Sequence, residues 1–291
     1  MACLDWGFVM SLYEVTEQAK NAMLDNGLTP PDSLIFDGCL HRFGHKKTGW
    51  YKLYSDGKAA GSFGDWKQGI KVRWKMDGNF KPFTDAERRA FAIERQRQET
   101  ERQAEEKAFH DKAANKASYI WSKSPPITAQ DQHPYLVRKR IQAHGARLSR
   151  SALVIPIFNP DYQLVNLQFI DADGNKLFLK LGKKKGCFSV IGKHSDGQPI
   201  VICEGWATGA TLHTHTGYFV IVALDAGNLE PVAKAIRILA PTESIIIAGD
   251  NDLSGVGQKA ARSAALAVGG KYIIPATPGH DWNDSLTMKV V

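Results

Sequence analysis

The sequence has few cysteines, and none of them are paired in a metal-binding spacing. Its 291 residues include four cysteines, and no two are separated by the two residues of a CxxC motif. Zinc ribbons and disulfide frameworks need such closely spaced cysteines. The sequence therefore argues against both, and it predicts a cytoplasmic protein with free thiols and no bound zinc.

Long apolar segments are also missing. The chain contains no run of about 18 consecutive apolar residues, and its N-terminus lacks the basic-then-apolar pattern of a signal peptide. We therefore predict no contact with a membrane. A GxxxxGK[ST] phosphate-binding loop is absent as well, so any helicase partner is expected on a separate polypeptide.

Acidic residues are outnumbered by basic ones. The chain has 37 Lys and Arg against 30 Asp and Glu, which gives a net charge of +7 and a pI near 9.1. A basic surface attracts polyanions, and nucleic acid is the commonest of these partners. The alternative is a soluble protein whose excess of basic residues has no role in binding a polyanion. The hydrophobic content of 43% suffices for two modest cores.

Residues 1–83 are predicted to form a small β-rich domain that follows one helix, at about residues 11–26. Over residues 41–81, ten Lys or Arg stand against three Asp and alternate with aromatic residues, among them Trp50, Trp66 and Trp74. Rings among cations can stack on bases and bind phosphates of a single strand. Alternatively, the rings form a small core while the lysines face water. The sequence leaves both interpretations open.

Residues 84–126 are predicted to be a charged helical connector. Residues 84–121 contain neither Gly nor Pro, and residues 84–87 form a capping box that predicts the helix start. The helix lacks a wide apolar stripe, which is typical of a solvent-exposed segment between domains. A surface for nucleic acid or for a partner protein is the alternative.

Residues 199–291 alternate between short apolar runs and amphipathic segments. Strands are predicted at residues 199–203, 219–224, 244–248 and 271–274, with helices between them, one of which Asn228 is predicted to cap. This order predicts an α/β domain with a parallel sheet and helices on its faces.

Acidic residues follow three of these strands. They are Glu204, Asp250, Asp252, Asp281 and Asp284. The carboxyl ends of parallel strands share one edge of the sheet, and carboxylates that meet there repel unless a cation offsets them. Oxygen ligands suit Mg²⁺ or Mn²⁺, and two such ions can stabilise an in-line phosphoryl displacement. Each acid alone could instead be a helix cap.

The spacing of these acids resembles the Toprim domain of bacterial and phage primases, topoisomerases and some nucleases. The resemblance implies that Glu204 is a general acid/base and metal ligand, and that Asp250 and Asp252 are catalytic metal ligands. It implies that Asp281 helps to hold a metal. The position four residues after the Glu, often Asp in this family, is Thr208 here, so one metal site is expected to be weaker or differently built.

Three segments, at residues 153–157, 164–169 and 173–180, resemble the basic polymerase subdomain of such primases. Residues 127–198 are therefore predicted to form this subdomain. Between residues 176 and 193 there are six Lys and no acid. The resemblance implies that Lys180 is the active-site lysine. Contacts to phosphates are predicted for the remaining cations, which are Lys176, Lys183, Lys184, Lys185, Arg138 and Lys139. The alternative for the three consecutive lysines is a solvated hairpin tip. The stretch of residues 133–139 also resembles mobile-element primases, although the residues themselves indicate only a basic helix start.

Taken with its resemblances, the sequence predicts a multidomain α+β and α/β protein of phage, plasmid or other mobile-element origin. The predicted function is a DNA primase that makes short RNA primers from ribonucleoside triphosphates on a single-stranded DNA template. A Toprim-type nuclease and a non-catalytic nucleic-acid-binding protein are the alternatives. The glycines of a GxGxxA run at residues 255–260 are expected to relieve crowding beside the acids, rather than to bind a dinucleotide.

Overall fold

The computed structural model describes residues 12–54, 59–77, 85–128 and 131–287. The chain divides into two compact units, residues 1–100 and 101–291. The predicted multidomain combination of α+β and α/β architecture is confirmed. The predicted capping box at residues 84–87 lies outside the described side chains. No helix within the described residues is long and apolar enough to cross a membrane.

The first unit contains the predicted helix, α1 (Leu12–Asp25), and a four-stranded antiparallel sheet. Its strands are β1 (His41–Phe43), β2 (Gly49–Tyr54), β3 (Ala60–Asp65) and β4 (Ile70–Lys75), in that spatial order. Side chains alternate between the two faces of a strand. One face, with Tyr51, Leu53 and Phe63, packs against Ala19 and Met23 of α1 to form the core.

The predicted connector is a single helix of 39 residues, α2 (Asp85–Lys123). It is polar over most of its length, but a short apolar stripe appears near its end. Ala117, with Ile120 and Trp121 beside it, packs against Val154 and Leu167. A spacing of three and four residues places such side chains on one helix face. The last turns of the connector are therefore part of the second unit.

The second unit next contains a short helix, α3 (Pro134–Lys139), and a four-stranded antiparallel sheet. The strands of this sheet are β5 (Arg147–Ser149), β6 (Ala152–Phe158), β7 (Leu164–Ile170) and β8 (Lys176–Phe178). They lie in sequence order. Hairpins connect them because the chain reverses at polar turns such as that between Asn159 and Gln163.

The remaining elements form a five-stranded sheet with the order β13-β12-β10-β11-β9. They are β9 (Ser189–Ile191), β10 (Ile200–Cys203), α4 (Trp206–Thr216), β11 (Val220–Val222), α5 (Leu229–Leu239), β12 (Ile245–Ala248), α6 (Val256–Val268), β13 (Lys271–Ile273) and α7 (Trp282–Thr287). The four predicted strands are parallel and adjoin one another, while β9 adds an antiparallel edge that the sequence did not predict. This strand precedes residue 199, so the sheet extends across the predicted domain boundary.

The alternation of apolar residues in these strands supplies both faces of the sheet. Val201 and Cys203 of β10 pack on the side of α4, whereas Ile200 and Ile202 pack on the side of α5 and α6. The first of these cores also includes Leu153 and Ile155 of β6. The antiparallel sheet is thereby fixed to the parallel one, which positions Lys176 of β8 near the carboxyl ends of the parallel strands.

Candidate active site

Carboxylates meet a group of cations at the carboxyl edge of the parallel sheet. Glu204 comes directly after β10, and Asp250 comes after β12 with one residue, Gly249, between them. Both border a pocket of about 300 Å³. Its lining is Tyr135, Arg138, Lys139, Asp173, Gly174, Lys176, Glu204, Gly205, Ala207, Thr208, Leu224, Asp250 and Asp281. Three acids and three cations of the predicted site therefore share one cavity.

Asp250 is the acid of the pocket whose negative charge is least favoured by its surroundings. Its Oδ1 atom is buried and has no hydrogen-bond partner among the described residues. Burial, followed by the charges of Glu204 and Asp281, raises its pKa to about 7, against the opposing effect of Lys176. A buried carboxylate without a donor is costly. This oxygen is therefore the one best suited to accept a cation.

Glu204 shares the same environment. Burial raises its pKa, and the nearby Asp225 and Asp252 add to the increase, while Lys176 acts in the opposite direction. Asp225 follows β11 and was not predicted as a site residue. A carboxylate whose pKa is raised in this way accepts a proton more readily than an ordinary glutamate.

Asp252 caps helix α6. Its Oδ1 accepts a hydrogen bond from the Ser254 hydroxyl, and its Oδ2 accepts one from the Gly257 N–H at 2.5 Å. These donors lower its pKa. A Cβ atom at Gly257 would lie only 2.7 Å from this Oδ2 atom, which confirms that this glycine relieves crowding. For Gly255 the prediction is wrong, because a Cβ atom there would meet nothing within 4 Å, and its φ of 74° instead requires a left-handed conformation. The metal-binding role of Asp252 stays a prediction.

Asp281 and Asp284 are joined by one lysine. The Lys139 Nζ lies 3.7 Å from Asp281 Oδ2 and 3.3 Å from Asp284 Oδ1. The two acids also cap α7 reciprocally, because each accepts a hydrogen bond from the backbone N–H of the other. Asn283 lies buried between them and donates to the Lys139 carbonyl oxygen at 2.7 Å. Asp281 therefore lines the pocket next to the Lys139 ammonium group.

Helix α3 supplies the basic wall of the pocket. The His133 ring caps it by accepting from the Tyr135 N–H at 3.2 Å. Arg138 donates to the Ala172 carbonyl oxygen at 2.9 Å and lies 5.7 Å from the centre of the Tyr135 ring. Burial and the charge of Asp281 raise the pKa of Tyr135 to about 12. The sequence of residues 133–139 indicated only a basic helix start. In the structure this segment lines the same pocket as Glu204, Asp250 and Asp281.

The predicted lysines separate into two groups. Lys176, on the edge strand β8, lines the pocket, whereas the described lining does not include Lys180, which lies in an exposed turn. Its role as the active-site lysine stays a prediction. Lys183 and Lys185 are exposed, and Lys184 is half-buried. Lys184 forms an ion pair with Asp225 and lies 4.5 Å from the centre of the Phe178 ring.

Asn228 holds this lysine segment in place. Its Oδ1 accepts from the Gly186 N–H at 2.8 Å, and its Nδ2 lies 2.9 Å from the Cys187 carbonyl oxygen and 2.7 Å from that of Ala223. Asn228 occupies the N-cap position of α5 as predicted, but its side chain makes no capping hydrogen bond to that helix. The buried amide is instead used to attach the segment to the end of β11.

The predicted tryptophans lie in the first unit in different environments. Trp50 is 8% exposed and stacks on Trp66, which is 51% exposed, with ring centres 5.6 Å apart. The Arg42 guanidinium lies 4.7 Å above the Trp66 ring. Trp74 packs against the core on the opposite face. The core interpretation applies to Trp74, and Trp50 is buried as well. Stacking of bases on these rings stays a prediction, for which Trp66 is the exposed candidate.

Glu204 and Asp250 are the residues best placed to hold a divalent cation, with Asp281 beside them. Within the described ranges, however, no three His, Cys, Asp or Glu side chains already form a metal-binding group. Mg²⁺ usually keeps several waters and binds through one or two carboxylates together with substrate phosphates. The unpartnered Asp250 oxygen and its repelling neighbours fit such a partly hydrated ion.

Comparison with known proteins agrees with this geometry. Residues 199–290 match the Toprim domain family. Over most of its length the chain is similar to DNA primase TraC of Escherichia coli. It is 33% identical to one such protein over 267 residues, and 34% identical to another over 282 residues. The predicted resemblance to Toprim-type primases of mobile elements is confirmed.

These alignments cover 85% and 90% of this chain but only 25% and 19% of the two relatives. The chain therefore spans about a quarter or less of the proteins it matches. Among solved structures, the primase fragment of the bacteriophage T7 primase-helicase protein is similar, with 17% identity and a TM-score of 0.44. That match covers 86% of this chain and 93% of the fragment.

Proposed function

We propose that this chain is the catalytic part of a DNA primase, which joins ribonucleoside triphosphates into short RNA primers on a single-stranded DNA template. One observation carries the proposal. Repelling carboxylates, Glu204 and Asp250, face Arg138, Lys139 and Lys176 across a single pocket. Nucleotidyl transfer needs acids for a metal and cations for phosphates at the same place. The similarity to DNA primase TraC supports this choice.

The residues of the pocket can be assigned to the steps of this reaction. A 3′-hydroxyl attacks the α-phosphorus of the incoming nucleotide, and pyrophosphate leaves. Glu204 takes the hydroxyl proton, for which its raised pKa is suited. Lys176 and Arg138 bind the phosphate oxygens and offset the developing charge.

Mg²⁺ or Mn²⁺ would be held by Glu204 and Asp250, with Asp281 and Asp252 as further ligands in a two-metal arrangement. When bound, such ions supply positive charge at the attacking and leaving oxygens. The carboxylates position that charge, and the cap made by Asp252 on α6 fixes the loop that carries Asp250.

The direct test is incorporation of labelled ribonucleotides on single-stranded DNA circles with Mg²⁺ or Mn²⁺. We expect short RNA products that depend on the template and on the divalent ion. Cleavage of the circle without synthesis would indicate the nuclease alternative. Binding without either product would indicate a non-catalytic protein. A separate helicase is the expected partner, and its addition should increase the yield of primers.

Substitution of Lys176 by Ala should raise the KM for ribonucleotides about tenfold, because a charged phosphate contact is lost. The matched variant is Lys180→Ala, which tests the lysine that the family resemblance implies. We expect the Lys176 variant to show the larger effect, since the described pocket lining includes Lys176 and does not include Lys180. Steady-state kinetics on a fixed template measure both variants. A wild-type KM for Lys176→Ala would contradict the assignment.

Removing the charge of Asp250 should stabilise the protein when divalent ions are absent. Its pKa of about 7, above the ordinary 3.8, shows that the fold disfavours the ionised form. Stability is therefore lost as the pH rises from 3.8 to about 7. At pH 8, Asp250→Asn should gain about 1–2 kcal/mol, or a few degrees in Tm.

Thermal unfolding with and without Mg²⁺ provides the measurement. Mg²⁺ should raise the Tm of the wild type more than that of Asp250→Asn, because the ion relieves the repulsion only where the carboxylate is present. Asp161→Asn, at an exposed turn, is the control and should behave as the wild type. An equal Mg²⁺ response in Asp250→Asn would show that the ion binds elsewhere.

A further inference from the structure

The sheet of the first unit has one face that carries only cationic, aromatic and small side chains within its described strands. The pairing register places five cations on this face, together with Trp50 and Tyr54. The cations are Arg42, Lys52, Lys71, Arg73 and Lys75. Asp65, the acid of these strands, lies on the opposite face, where the Thr48 hydroxyl donates to it at 2.7 Å.

On this face the small residues of β3 lie between the longer side chains of β2 and β4, and we call this strip the groove. Its floor is Ala60, Ser62 and Gly64. A Cβ atom at Gly64 would lie 2.0 Å from the Ile70 carbonyl oxygen and 3.0 Å from the Trp50 ring, so a larger residue does not fit there. The walls stand on β2 and β4, about 10 Å apart, because neighbouring strands are about 4.8 Å apart.

The two walls differ in chemistry. The β4 wall consists of Lys71, Arg73 and Lys75, all of them exposed. Alternate residues of an antiparallel strand are about 6.8 Å apart, which is close to the spacing of successive phosphates in an extended nucleic-acid strand. The β2 wall carries rings, and at its end Trp66 is half-exposed and stacks on Trp50.

We propose that this groove binds a single strand of DNA, with phosphates along Lys71, Arg73 and Lys75 and a base against the exposed part of the Trp66 ring. The Arg42 guanidinium, 4.7 Å from the centre of that ring, lies beside this base. A row of cations beside accessible rings is the combination that binds single strands without sequence preference. The binding of single-stranded DNA is inferred from the groove itself. That this strand is the template rests on the proposed function. It assigns template binding to the sheet of the first unit.

The first experiment removes the phosphate wall from the full chain. Binding of a fluorescent oligothymidylate is measured by anisotropy at several salt concentrations. The variant with Lys71, Arg73 and Lys75 changed to Ala should bind about tenfold or more weakly. Because each phosphate contact to a single strand contributes about 0.7 to the salt slope, the slope should fall by about 2.

A control variant removes three cations of α2, with Lys112, Lys116 and Lys123 changed to Ala. It loses the same charge, so it should keep nearly wild-type affinity if the groove is the binding site. Equal losses in the two variants would overturn the inference, because net charge alone would then explain binding. Trp66→Ala should weaken binding about tenfold, and Trp66→Phe should restore most of it, since both rings stack.

Two substitutions of Ser62, on the floor of the groove, separate the effect of charge from the effect of size. Ser62→Asp places a negative charge between Lys52 and Arg73, whereas Ser62→Asn adds similar bulk without charge. The Asp variant should bind much more weakly than the Asn variant. Identical binding by the two would overturn the proposal, as would equal affinity of the wild type for a blunt duplex of the same length.

Failure of this inference can be distinguished from failure of the proposed function. If the β4 variant binds as the wild type does and primers are made, the groove assignment falls and the primase proposal stands. If the wild type makes no primers while the β4 variant loses oligonucleotide binding, the groove assignment stands and the primase proposal falls.

Discussion

Replacing Asp250 by Ala should abolish primer synthesis, with a loss of at least about 10³-fold, while template binding stays within about twofold of the wild type. The physical reason is the position of its carboxylate. Oδ1 is buried without a hydrogen-bond partner among the described residues, so it is free to bind the cation that the reaction requires. Loss of a preorganised charge at the reacting phosphate typically costs several kcal/mol of transition-state stabilisation.

The isosteric Asp250→Asn should be as inactive as Asp250→Ala, although its fold is expected to be more stable at pH 8. Activity and stability should therefore change in opposite directions, which a merely misfolded variant cannot show. Asp161→Asn serves as the matched control with full activity. Primer synthesis above about a tenth of the wild-type rate in either Asp250 variant would exclude this residue from the catalytic site.

The largest effect on stability is expected for Asn228→Ala, at about 3 kcal/mol, or a decrease in Tm of about 6–12 °C. The buried amide of Asn228 binds the Gly186 N–H and the carbonyl oxygens of Cys187 and Ala223. Truncation leaves these groups in an apolar setting without their partner, and each such group costs about 1–3 kcal/mol. Thermal unfolding of both proteins measures the change.

The same substitution should release the lysine segment at residues 183–185. Trypsin should then cut the variant at these lysines well below its unfolding temperature, whereas the wild type resists cleavage there. Asn159→Ala is a suitable comparison, because that amide bonds with Gln163 in an exposed turn and its loss should cost at most about 1 kcal/mol. An unchanged Tm together with unchanged protease resistance would show that Asn228 does not hold the segment.

The sequence was most informative where the hydrophobic pattern was regular. The four parallel strands and the helices between them were predicted because apolar runs and polar segments alternate without interruption from residue 199. Glu204 and Asp250 follow from the same pattern, since residues just after parallel strands share one edge. Strand β9 was missed because Ser189–Ile191 is too short for its period to be visible, and tertiary packing against β11 fixes it.

Other parts of the site depend on contacts between distant segments. Lys139 is separated from Asp284 by 145 positions in the chain, and neither local propensity nor spacing reveals that pair. Asp225 follows a buried strand as Glu204 does, so the rule that found Glu204 could also have identified it. The side chain of Asn228 has a local role available, capping a helix, and tertiary contacts replaced it. Trp66 and Trp74 could be told apart only once the strand register was known.

The short helix α7 has a consequence for any shortened form of the protein. Trp282 donates its indole N–H to the Gly249 carbonyl oxygen, next to Asp250, and Asn283 donates both to Lys139 and to the Thr211 hydroxyl. The six residues of α7 thus connect the loop that carries Asp250, helix α4 and helix α3. A chain cut after residue 280 would keep Glu204, Asp250 and Lys176 yet lose the alignment of these parts.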